Sequence, residues 1–148
     1  MSLVMKKSEY QELVQKYTKQ SAHYFRNALK FIQNNETEKA GEFLWGSVAE
    51  IMKAAAASKG IELKTHAELW NYAQALAKEL EDNAVYDTFS KANALHSNFY
   101  EIRLPPQEIL VKMEEVKKLL SKMLDLLGLK DIIVKENETN IKQPKTNN

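Results

Sequence analysis

Three short runs carry the residue types from which a site could be built. The first is Lys39, Glu42, Gly46, Glu50 and Lys53, spaced by threes and fours. At 3.6 residues per turn these positions share one helical face. Two carboxylates and two amines so placed either pair as a solvated stripe or line a groove. In the first case Gly46 admits a close helix crossing; in the second it leaves room for a ligand. A mid-helix glycine costs about 1 kcal/mol against alanine, so one of those gains must offset it. The second run is His96, Tyr100 and Arg103, again on one helical face. An imidazole, a phenol and a guanidinium together suit phosphate binding or acid–base chemistry. The competing reading is a hydrogen-bonded core histidine, with an arginine that complements the carboxyl end of the helix dipole. The third is His66 in Thr65-His66-Ala67-Glu68. The Thr/Glu spacing is that of a capping box, which sets His66 at a helix amino end. Backbone N–H groups there favour an anion, unless His66 is only a surface neighbour of the cap. His23, beside Tyr24, reads as a surface residue.

Other chemistries are excluded or left without support. The chain has no cysteine, so thiol nucleophiles and Cys-based metal sites are ruled out. Glu42 and Glu50 would lie about 12 Å apart along a helix, too far to share one ion. The paired Glu-x-x-His signature of di-iron bundles is missing, and no metal or cofactor is expected. No glycine-rich phosphate loop follows a strand, and no catalytic triad can be assembled.

The elements that must position these residues are helices. Tyr10, Val14, Tyr17, Ser21, Tyr24, Ala28 and Phe31 follow alternating steps of four and three, with Leu13, Phe25, Leu29 and Ile32 widening the same face, which predicts a long helix ending at Asn34-Asn35. A second helix buries Ala40, Phe43, Leu44, Ser47, Val48, Ile51 and Ala55 and stops at Gly60. A third opens at the Thr65 box with Leu69, Tyr72, Ala73, Leu76 and Leu80 inward. A fourth carries Val85, Tyr86, Phe89, Ala92, His96 and Phe99 on one side. Pro105-Pro106 starts a fifth, which Gly128 ends. Its two apolar stripes predict contact with two neighbours, and with a second copy of the chain. The polar residues from 129 to 148 read as a tail with one apolar run, Ile132-Ile133-Val134.

Length and composition fit this reading. The 148 residues allow one domain with a core, here expected over residues 8–128. Four glycines and three prolines are too few for the many turns of a sandwich or barrel. A net charge of +1 gives no global basic field for nucleic acid. No apolar run approaches the roughly 20 residues of a membrane span, and no signal-peptide pattern opens the chain. The expectation is an all-α antiparallel bundle of about five helices in the cytoplasm.

Two of these runs carry a resemblance. Lys39 through Lys53 resembles the second helix of the archaeal PaREP1-like proteins, where Glu-x-x-Trp-Gly precedes a histidine near a turn. Glu42, Trp45, Gly46 and His66 fill those places. Leu95-His96-Ser97-Asn98-Phe99-Tyr100-Glu101 resembles their later Leu-His-x-Asn-Phe-Tyr helix, which adds Asn98. That family is similar to the wider HEPN group of helical bundles. HEPN bundles commonly dimerise. Some are metal-independent ribonucleases, often toxins; others bind nucleotides or assist a separate nucleotidyltransferase.

The resemblance implies a homodimeric module that binds nucleotide or RNA. Its ligand-binding candidates are Glu42, Trp45, Gly46, Glu50, Lys53, His66, Asn98, Tyr100 and Arg103. The alternatives are an endoribonuclease using His96 and a structural partner protein without catalysis. HEPN ribonucleases carry Arg, four to six residues, then His. Here the basic residue is Lys91, in Lys-x4-His form. Lysine lacks the planar fork of arginine, which favours binding over cleavage. Lys91 and His96 also lie about 140° apart around a helix, so one catalytic site using both needs a second protomer.

Overall fold

The computed structural model describes residues 6–97 and 105–129. Asn98, Tyr100, Arg103 and the tail from Lys130 lie outside the described residues. Five helices follow in order: α1 (Lys7–Gln33), α2 (Thr37–Ala57), α3 (His66–Leu80), α4 (Asn83–Ser97) and α5 (Pro106–Leu127). No strand occurs among the described residues, and the fold is all-α as expected.

Local signals set the helix ends. Asn35 adopts the left-handed conformation (φ 62°) after α1, which asparagine tolerates better than most residues. The Thr65 hydroxyl accepts the Glu68 N–H at 3.1 Å, and the Glu68 carboxylate accepts the Thr65 N–H at 3.1 Å. The expected capping box at α3 is therefore formed. Pro105 occupies the N-cap of α5 and Pro106 its first turn, where a missing N–H costs nothing. Gly128 (φ 72°) closes that helix.

α2 is the central element. It packs most extensively on α1 and also against α3, α4 and α5. Its buried set is wider than the expected stripe, because helices surround it on several sides. It includes four consecutive alanines, Ala54 to Ala57. The α1–α2 seam is pinned by the buried Ser21 hydroxyl, which donates to the Ser47 carbonyl at 2.7 Å. The Ser47 hydroxyl in turn donates to the Leu44 carbonyl.

Two faces differ from expectation. On α1 the buried line is Thr18, Ser21, Ala22, Phe25 and Ala28. Tyr17 and Tyr24 are displaced to its flank, since small residues let α2 approach while tyrosine rings do not. On α4 the buried residues include Val85, Phe89, Ala92 and Leu95. Leu95 takes the core position, and the His96 side chain is 49% exposed. His96 is therefore not a core histidine. α5 meets α2 and α4, as its wide apolar arc predicts, and leaves Leu110, Val111 and Leu126 half-exposed.

Candidate functional site

The charged face of α2 does not act as one surface. Trp45 and Gly46 are neighbours about 100° apart around the helix, and they part company there. Gly46 faces α1: a Cβ at this position would stand 2.9 Å from Tyr24 Cδ2. The Tyr24 ring fills the space that a ligand would need, so the glycine makes room for that ring. Further along, Glu50 and Lys53 pair with each other at 3.1 Å. The Lys53 ammonium lies 5.9 Å from the centroid of Tyr17. Burial raises the Tyr17 phenol above its ordinary pKa; Glu62 and Glu50 add to the rise and Lys53 opposes it. Lys39 pairs with Glu36 and sits over Phe31. Gly46, Glu50 and Lys53 thus do not join Glu42 in a groove, because α1 residues cover that part of the seam.

Glu42 and Trp45 point instead toward α3 and α4. The indole of Trp45 has an imidazole on either hand. His96 stacks on it at 6.0 Å between centroids with planes 21° apart. His66 lies 5.8 Å away, tilted by 52°. Beneath them Phe89 meets Trp45 edge-on at 5.4 Å and Trp70 edge-on at 4.8 Å. Tyr86 adds a further contact to Trp70 at 5.6 Å. Such edge-to-face packing gives a rigid aromatic floor.

Each imidazole is held by one ring nitrogen. Trp70 Nε1 donates to His66 Nε2 at 2.9 Å. An indole N–H can only donate, so neutral His66 carries its proton on Nδ1. Glu42 Oε1 stands 3.0 Å from His96 Nδ1. A carboxylate accepts, so His96 donates from Nδ1 and keeps Nε2 for another partner. Both histidines are exposed, and Glu42 is 37% exposed. His66 is the first residue of α3, and the capping box fixes its backbone. Glu68 also accepts the Lys64 N–H at 2.6 Å. The amides of Lys64 and Thr65 hold the Glu68 carboxyl below the usual carboxylate range.

Lys91 lies elsewhere. It reaches Asp87 at 3.1 Å and Glu115 of α5 at 3.4 Å, and these acceptors raise its pKa. It does not join His96 within one protomer, as the angular offset along α4 predicts. Asn98, Tyr100 and Arg103 fall outside the described residues. His23 is exposed beside Asn27. Trp70, Tyr86 and Phe89 complete the floor but were not among the expected site residues. Trp70 follows His66 by four residues, and that helical spacing was the available signal. Among the described residues no group of three acidic or histidine side chains could hold a metal ion.

The fold and this cluster define a small all-α bundle in which exposed His66 and His96 lie against an aromatic floor. Residues 16–120 match the Archaeal PaREP1/PaREP8 family, a span from α1 to α5, and the chain belongs to that family. No curated protein and no solved structure matches it.

Proposed function

We propose that the Glu42–Trp45–His66–His96 cluster binds a nucleotide or a single-stranded RNA segment. The observation that carries this reading is the placement of two exposed imidazoles on one tryptophan. The three residues come from three helices. Bases stack on aromatic faces with little dependence on sequence. Imidazole nitrogens beside such a face supply hydrogen bonds to base edges or phosphate. The amino end of α3 adds a favourable field for an anion. A site using both Lys91 and His96 would need a second protomer. The half-exposed Leu110 and Val111 on α5 support self-association.

Both tryptophans of the chain, Trp45 and Trp70, belong to this cluster. Intrinsic fluorescence therefore reports on it directly. Titration with ATP or a short oligoadenylate should quench or shift the emission. His66→Ala and His96→Ala should each weaken binding about tenfold, equivalent to about 1.4 kcal/mol. A flat titration with both ligand types would overturn the reading. Light scattering should give twice the mass of one chain; a clean monomer would count against the dimer.

A second reading rests on the Glu42–His96 contact. A carboxylate on Nδ1 orients an imidazole for proton transfer at Nε2. The Glu42–His96 pair would then cleave RNA without metal. Incubation of RNA in chelator, with Glu42→Gln and His96→Ala as controls, separates binding from cleavage.

A further inference from the structure

We propose that the apolar run Ile132-Ile133-Val134 of this chain's own tail docks in a groove between α1 and α5. The groove has a volume of about 550 Å³. Tyr10, Val14, Leu126, Leu127 and Leu129 form its apolar part, beside Lys7, Gln11 and Gln15. Leu126 is 54% exposed, the highest value among the large apolar side chains that remain exposed in the described residues. Ser58, at the carboxyl end of α2, also borders it. Thirteen residues separate Ser58 from Trp45, about 20 Å along the helix, so this groove is distinct from the aromatic cluster.

Chain geometry selects the occupant. Gly128 in the left-handed conformation and the Leu129 N–H, bonded to the Leu124 carbonyl at 2.8 Å, form a Schellman turn. That turn folds the backbone back, so Leu129 itself lines the groove. Nineteen residues follow. Their only run of consecutive apolar residues starts three positions on, within about 11 Å of extended chain. A tether this short gives an effective concentration on the order of millimolar, so the tail outcompetes a second copy at micromolar concentration.

The absence of cysteine allows a clean test in the full chain. Lys135→Cys carries a single nitroxide label, and methyl resonances report its proximity. The label should more than halve the intensities of the Val14, Leu126 and Leu129 methyls against the reduced control. Ile133→Asp in the labelled chain should restore them. Undiminished methyls, or broadening unaffected by Ile133→Asp, would overturn the proposal. So would broadening that arises only when labelled chains are mixed with separate isotope-enriched chains, which would assign the groove to a second copy.

Discussion

Trp45 and Gly46 are adjacent in sequence and opposite in fate. Gly46 is closed off by the Tyr24 ring of α1, and the polar groups further along that seam pair among themselves. Trp45 instead borders two histidines, each with one hydrogen-bond partner among the described residues. The first region spends its polar chemistry on holding α1 against α2. The second retains donors and acceptors over an aromatic surface. Charge spacing along α2 does not distinguish them; the neighbour that covers each face does.

The largest expected effect falls on the closed side. Gly46→Leu drives a side chain into Tyr24 and should destabilise the bundle by about 1–3 kcal/mol. Tyr24→Ala in the same chain should recover part of the loss in a thermal melt. A raised melting temperature for the single variant would mean that Gly46 is not close-packed. On the open side, His96→Ala removes a half-exposed ring without opening a core cavity and should cost less than about 1 kcal/mol. Ligand titration should nonetheless weaken, and a large drop in melting temperature would erase the contrast between the two faces. Ser21→Ala removes the buried bond to Ser47 and should cost about 0.5–1.5 kcal/mol in chemical denaturation, without altering ligand titration.

The smallest effect is acid-linked. The fold lowers the Glu68 pKa from 4.5, chiefly through the Lys64 and Thr65 amides. It lowers the Asp82 pKa from 3.8, chiefly through Lys122 and the Ala84 N–H. Groups with lowered folded pKa values stabilise fully above their unfolded values and lose that contribution as pH falls through the folded ones. Stability should therefore decline below about pH 4.5. Glu68→Gln should flatten the part of this decline that comes from α3. An unchanged pH profile would show that the box holding His66 has no ionic component.

Most of the fold was legible because its signals are local. The Thr65–Glu68 box, the Pro105-Pro106 start and the Gly128 stop each act within one turn of chain. Buried faces were legible only approximately: α1 centres on Thr18 and Ala22 rather than on its tyrosines, and α4 buries Leu95 rather than His96. The site was legible as parts. Glu42, Trp45, His66 and His96 were each identifiable by type and setting, but 54 residues separate the contacting pair Glu42 and His96. Their convergence depends on how α3 and α4 lean on α2, which no short spacing encodes. Conversely, Glu50 and Lys53 shared a helical face with Glu42 yet met α1 instead, because a face changes neighbours along its length.

The four buried alanines of α2 set a different kind of constraint from the rest of the core. Elsewhere a buried position asks for enough hydrocarbon to fill its space. From Ala54 to Ala57 the requirement is an upper bound on bulk, since close-packed interiors give way poorly to added methylenes. Sequence drift there should run toward glycine or serine, and away from valine or leucine, even though the latter pair are the more hydrophobic. Engineered variants that seek a tighter bundle should accordingly enlarge residues at the half-exposed ends of α5 and leave this turn of α2 small.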